Sequence, residues 1–153
     1  MALKPDRIEA YTDISFFMNQ EGERGGIVVH GGGLGGLGAS MDDADAVVEY
    51  ATSPSGTDPA GLLLNDVVNY DLTRQHINWH RDEVQLGGKV TLLRQGQVTT
   101  NLVVDGVVPS AGADAYYGVN GFLTTLSTNS VKVGRFLGGL DADGYVKIDI
   151  NIT

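Results

Sequence analysis

Residues 145–153 read YVKIDINIT, and this stretch decides the class of fold. Val146, Ile148, Ile150 and Ile152 fall on one parity, and Tyr145, Lys147, Asp149, Asn151 and Thr153 on the other. Side chains alternate across a strand, so one face is apolar and the other polar, as in an antiparallel sheet or small barrel. The turn DADG (Asp141–Gly144) precedes it, after an apolar run at Val131–Leu137. Further upstream, Ala115–Gly118 and Phe122–Thr125 flank Asn120-Gly121, the strongest hairpin signal in the chain. Lys89–Arg94 and Gln97–Val104 flank RQGQ, which reads as a second tight turn. Gln75–Glu83 alternates, with Ile77 and Trp79 on one face and His76, Asn78 and His80 on the other. Leu62–Val68 (LLLNDVV) has the continuous apolar character of a strand buried on both faces. Short strands at near-regular spacing, with turn signals between them, predict a mainly β chain. They form a small antiparallel β-barrel or sandwich over about residues 62–153.

Ile27–His30 is a further short strand, and HGGGLGGLGAS (His30–Ser40) follows it with six glycines in eleven positions. Gly33, Gly35 and Gly38 satisfy the spacing of a dinucleotide-binding turn. The context of that motif is missing: Pro54, Gly56, Pro59 and Gly61 stand where its second strand should be built. Asp42, Asp43 and Asp45 would also repel a pyrophosphate. The HGGG letters match an esterase oxyanion loop, but no G-x-S-x-G elbow accompanies them. The stretch reads as a pliable connector. After it, Ser40 as cap, Asp43 three residues on, and Ala44, Val47, Val48 and Ala51 at helical spacing predict one short α-helix over about 41–51. Thr52–Gly61 reads as a loop. Residues 1–26 have no clean period and contain Pro5, which predicts an extended N-terminal arm ahead of a single domain over 27–153. The arm is either a partly ordered tail or a segment that orders on a partner.

A chain of 153 residues suits one domain with a real core. Its 22 glycines, against a usual share of roughly 7%, favour turns and short strands. It has no cysteine, so no disulfide or thiolate metal site contributes. The net charge of −9 is uneven: residues 1–75 hold twelve acids and four bases, residues 76–153 seven and six. Without a basic cluster, binding to nucleic acid is not expected. MALKPDRIEAYTD lacks the apolar core of a secretion signal, and no apolar run reaches membrane-spanning length, so a soluble, cytosol-made protein with no membrane partner is expected. His76 and His80 share a strand face but lack the glutamate of a zinc-protease helix, and read as polar packing partners. DADG lacks the later glutamate of a calcium loop and reads as a hairpin turn. No catalytic set assembles. The residues predict no enzyme activity, no metal and no cofactor.

Three stretches together resemble the small head-decoration, or capsid cement, proteins of tailed bacteriophages: LKPDRIEAYTDISFFMN (Leu3–Asn19), GLLLNDVVNYDLTRQHINWHRDEVQLGGKVTLLRQGQV (Gly61–Val98) and VGRFLGGLDADGYVKIDINI (Val133–Ile152). The middle block is the specific part, whereas AGADAYYGVNGFLTT (Ala111–Thr125) is a more generic small-barrel hairpin pattern. The resemblance implies a virion protein, made in the host cytoplasm, that sits on the outer surface of an icosahedral capsid. There it would clamp neighbouring major capsid subunits. It also implies a homo-oligomer, a trimer in preference to a dimer. On this reading Arg7, Ile8, Tyr11, Ile14, Phe16 and Phe17 are the candidates for the capsid-facing or intersubunit surface, acting by strand addition and apolar anchoring. Phe16 and Phe17 could instead close the protein's own core.

Two rival readings remain. One is a glycan- or receptor-binding β module on a virion surface, with Trp79, Tyr116 and Tyr117 as an aromatic platform. The other is a metal-dependent hydrolase built on the two histidines.

Overall fold

The computed structural model describes residues 2–31, 47–66 and 83–152. The chain is mainly β, with eleven strands among the described residues. These are β1 (Ile8–Met18), β2 (Gly22–Glu23), β3 (Ile27–His30), β4 (Val47–Glu49), β5 (Pro59–Asp66), β6 (Glu83–Val84), β7 (Lys89–Thr100), β8 (Asp114–Tyr117), β9 (Leu123–Thr124), β10 (Lys132–Phe136) and β11 (Val146–Asn151). Nine of them form one sheet in the order β1-β4-β3-β5-β7-β11-β10-β8-β9, and β2 and β6 pair separately.

The twelve-residue β7 organises the sheet. One of its edges carries β1 from Lys89 to Gln97. The other carries β5 at Val90–Leu93 and then β11 at Gln95–Thr100. Because β1 also pairs with β4 at Phe17 and Met18, the pairings run in a closed circuit, β1-β4-β3-β5-β7 and back to β1. The strands β11, β10, β8 and β9 continue from the second half of β7. The far edge of β9 is covered, since Leu123 exchanges backbone hydrogen bonds with Leu102 and Val104 (2.9 Å each).

Two apolar cores share a wall. Along β3, Ile27 and Val29 face one core and Val28 the other; along β5, Leu62 and Leu64 face one core and Leu63 the other. The first core adds Tyr117, Val133, Phe136, Ile148 and Ile150 from the β8-β10-β11 layer. The second is built from Met18, Val48, Tyr50, Val84, Val90 and Leu92. This is why IVV and LLL are unbroken apolar runs: both parities are buried. On β11 only one parity is, with Val146, Ile148 and Ile150 in the core and Lys147 and Asn151 in water.

Several sequence expectations hold. The Asn120-Gly121 hairpin forms, with Tyr116 opposite Thr124 and both turn residues at positive φ (54° and 76°). The β10–β11 hairpin also forms, and Asp141 Oδ1 accepts the N–H groups of Asp143 and Tyr145 (2.9 Å each) to shape its turn.

Three expectations are corrected. RQGQ is no turn, because β7 runs unbroken through it; Gly96 (φ 150°) stands beside the irregularity at Ala10 of β1, and the carbonyl oxygen of Ile8 comes so close that a Cβ would stand 2.1 Å from it. The helix over 41–51 is replaced at Val47–Glu49 by a strand. Its pairing with β1 and β3 satisfies the backbone, and Val48 and Tyr50 enter one core with period two. Strand β5 starts at Pro59, inside the expected loop. The arm segment, 1–26, supplies β1 and β2 to the chain's own sheets, and Ala2 and Leu3 are buried. The connector from Gly32 on, the helix start at 41–46, and His76, Ile77, Trp79 and His80 lie outside the described residues.

Some glycines serve packing instead of turns. The Tyr50 ring fills a slot walled by Gly22, Gly26 and Gly121, where an added Cβ would come within 2.5–2.9 Å of it. Its hydroxyl donates to the Glu23 carbonyl and accepts from Gly26 N–H (3.2 Å). Burial, the main cause, raises the phenol far above its ordinary value, so it stays protonated through the alkaline range. Tyr50→Phe leaves the buried Gly26 N–H without its partner and removes the bond to the Glu23 carbonyl. It should cost about 1–3 kcal/mol in a urea titration, while Tyr11→Phe at a position 52% exposed should cost less than about 0.5.

Candidate docking surface

Strand β1 is unusual in what it leaves outside. Of its large apolar residues, Ile8 is 59% exposed, Tyr11 52% and Ile14 52%. Alternation alone would put Tyr11 on the face opposite Ile8 and Ile14. Irregularities in the pairing with β7, at Ala10 and again at Ile14-Ser15, with a third between Tyr11 and Thr12, break the parity.

The second irregularity has a local chemical cause. Asp13 Oδ1 accepts hydrogen bonds from the backbone N–H of Ser15 (2.8 Å) and from its hydroxyl. That closes a small side-chain turn that competes with the ladder. Ile14 lies at the tip of this turn and is pushed into solvent. On the other side of Asp13, Arg94 Nη1 stands 3.8 Å from Oδ2, and its guanidinium carbon lies 5.9 Å from the Tyr11 ring centre. At the start of the strand, Arg7 Nε donates to Glu9 Oε1. The apolar row is therefore flanked by two acid–base pairs.

Partial burial raises the Asp13 pKa, but the two bonds from Ser15 and the charge of Arg94 outweigh it, and the carboxyl sits below its ordinary value of 3.8. A depressed folded-state value contributes stability at neutral pH that is lost as pH falls through it. Asp13→Ala should therefore cost about 1 kcal/mol at pH 7. The gap between variant and parent should begin to narrow in urea titrations as pH falls below 3.8, and close only below the depressed folded-state value, where the parent's carboxyl is protonated as well.

The six candidate residues thus divide. Ile8, Tyr11 and Ile14 form the exposed row, with Arg7 at its end. Phe16 and Phe17 are half-buried: Phe16 packs on the second core and on the His30 ring (centroids 5.4 Å apart), and Phe17 lies under the Lys89 ammonium (5.8 Å). Both rings make contacts within the fold. Sequence reasoning missed Asp13 and Arg94. The D-I-S triplet was the available signal for the side-chain turn, whereas Arg94 was hidden in a segment read as a turn.

Of the aromatic platform, Trp79 lies outside the described residues and Tyr117 does not reach the surface. Tyr117 is fully buried in the first core, its hydroxyl within 2.7 Å of the Thr57 hydroxyl and donating to the Thr57 carbonyl (3.0 Å). Among the described residues no group of three or more His, Cys, Asp or Glu is placed to hold a metal ion.

No protein-family model matches the chain, and a search of curated proteins returns no significant match.

Proposed function

We propose that this chain is a structural virion protein, a head-decoration protein that binds the outer surface of an icosahedral phage capsid and bridges neighbouring major capsid subunits. The observation that carries this reading is the row Ile8, Tyr11 and Ile14, held in water on a strand that is itself locked into the sheet. Large apolar side chains exposed along one strand are stabilised when a partner covers them. Its rigid mounting means little ordering cost falls on the association. The sequence resemblance to capsid cement proteins supplies the partner class. The finer architecture belongs to the same proposal: the closed circuit of five strands is a small barrel, and the β11-β10-β8-β9 layer packs on its side as a sandwich.

The test uses undecorated shells of the major capsid protein encoded with this chain. Tyr11→Asp combined with Ile14→Asp alters only exposed positions, so the melting temperature should stay within a few degrees of the parent's. Shell binding, followed by co-sedimentation, should weaken at least about 100-fold, since two charges would be buried without partners. Unchanged binding by the folded variant would remove β1 from the interface.

A glycan-binding reading would need a platform elsewhere than Tyr117. A glycan array with no binder, alongside retained shell binding, would dismiss it.

A further inference from the structure

We propose that the groove between the start of β1 and the end of β11 binds a neutral saccharide through the side chains of Gln95, Gln97, Asp149 and Asn151. Apart from Ile8 at its rim, this site uses none of the exposed β1 row, so it stands or falls separately from the decoration role.

Register builds the site. Strands β7 and β11 pair without irregularity from Val146 to Asn151, with Gln97 opposite Asp149 and Gln95 opposite Asn151. Val98, Ile148 and Ile150 point into the first core, so Gln95, Gln97, Asp149 and Asn151, on the other parity, share the outer face. Directly opposite positions lie about 5 Å apart, and positions two along a strand about 7 Å. The four head groups therefore stand at the corners of a rectangle the size of one sugar ring. Across β7, Ile8 is opposite Gln97 and, with Ala10, closes a groove of about 350 Å³.

The lining selects the ligand. It holds three carboxamides and one carboxylate, with no cation and no aromatic ring. Among the described residues, none of these four side chains has a hydrogen bond or ion pair within the chain, although they stand side by side. Arg135 is opposite Asp149 on β10, but it makes no ion pair with it and does not line the groove. Each carboxamide offers donors and an acceptor in one plane, and the carboxylate accepts at two oxygens. Neighbouring sugar hydroxyls, each a donor and an acceptor at once, satisfy such a set, and Ile8 and Ala10 give the C–H face of the ring an apolar wall.

Other ligands fit less well. A phosphate or a uronate meets no lining cation and one opposing charge, on a chain whose net charge is −9. A divalent cation finds a single carboxylate. A peptide strand finds no free edge, because β7 is bonded on both sides here: Gly96 pairs with Glu9 of β1 and with Ile150 of β11.

The test titrates the full-length, isotope-labelled protein, without shells, with the methyl glycosides of glucose, galactose, mannose and N-acetylglucosamine. At least one should give saturable amide shifts at Gln95–Gln97 and Asp149–Asn151, and in the side-chain amides of Gln95, Gln97 and Asn151, with a dissociation constant below about 20 mM. Glucuronic acid, the anionic probe, should bind at least about tenfold more weakly. Gln97→Ala and Asn151→Ala should each weaken the glycoside about tenfold. Neither side chain enters a core, so both variants should melt within a few degrees of the parent. Asp149→Asn should bring glucuronic acid to within about threefold of the neutral sugar. No saturable shift with any of the four glycosides up to about 200 mM, saturable shifts confined to other residues, glucuronic acid binding the parent as well as a neutral glycoside does, or unchanged binding by folded Gln97→Ala would overturn the proposal. Shell binding is scored separately. A protein that decorates shells but binds no glycoside ends this site and leaves the decoration reading, while one that binds a glycoside and ignores shells does the reverse.

Discussion

Replacing Gly96 by valine is expected to lower the stability of the folded chain by at least about 4 kcal/mol, most of what a domain of this size possesses. Two separate costs add. The backbone at Gly96 has φ 150°, a conformation that side-chain-bearing residues hold only with strain of about 1–3 kcal/mol. A Cβ there would also lie 2.1 Å from the carbonyl oxygen of Ile8, a backbone atom that can yield only if β1 separates from β7. Gly96 stands at the crossing of the whole sheet, paired with Glu9 on one side and Ile150 on the other. The urea midpoint should fall by more than about 1 M, and the amides of β1 and β11 should lose protection together. Gly144→Ala is the control: it too has positive φ (82°), but nothing lies within 4 Å of the added carbon. It should cost only about 1 kcal/mol. Equal effects of the two substitutions would mean that Gly96 matters for its turn propensity, as the sequence pattern suggested, and not as a point of close approach.

The second large effect is expected from removing residues 1–7. Leu3 is 5% exposed in the first core and Ala2 is buried beside it. The backbone is stitched alongside the end of β7: Lys4 N–H donates to the Thr99 carbonyl (2.9 Å), and Asn101 N–H to the Ala2 carbonyl (3.1 Å). The Lys4 ammonium also lies 4.3 Å from the Tyr145 ring centre. Losing one buried leucine costs about 2–5 kcal/mol, and two lost backbone hydrogen bonds add about 1 kcal/mol each. The truncated chain should melt at least about 10 °C lower, with faster hydrogen exchange at Thr99–Asn101. Leu3→Ala should reproduce most of the loss. A truncation without effect would restore the picture of a loose arm. Deletion of the first twenty residues is accordingly a poor probe of docking, since it removes core and β1 together; point changes at Tyr11 and Ile14 are the cleaner instrument.

How much of this was legible in the sequence depended on which physical signal each segment carried. YVKIDINIT and the Asn120-Gly121 turn were legible because period-two alternation and positive-φ turn residues are local properties. Gly96 was not. Glycine serves a turn or a close backbone approach alike, and only the approach of Ile8, far away in sequence, decides between them. Val47 and Val48 were misread because Ala44, Val47, Val48 and Ala51 fit a helical face by spacing. The pairing of β4 with β1 and β3 is non-local and overrode that pattern. The exposed row was legible as a list of apolar residues but not as a row. Its exposure goes with irregularities in the pairing with β7, which break strict alternation and depend on a strand far away in sequence. Phe16 and Phe17 share the same composition cue, yet their rings meet His30 and Lys89 within the fold.

The decoration role is tested most directly by mixing the full-length protein with undecorated shells of the major capsid protein encoded with it, and measuring bound copies and shell rupture temperature together. The account predicts saturable binding at a fixed ratio of copies to capsid subunits, with a rise in rupture temperature that tracks occupancy. Folded protein that stays in the supernatant at all concentrations, or binds without altering shell rupture, would contradict it.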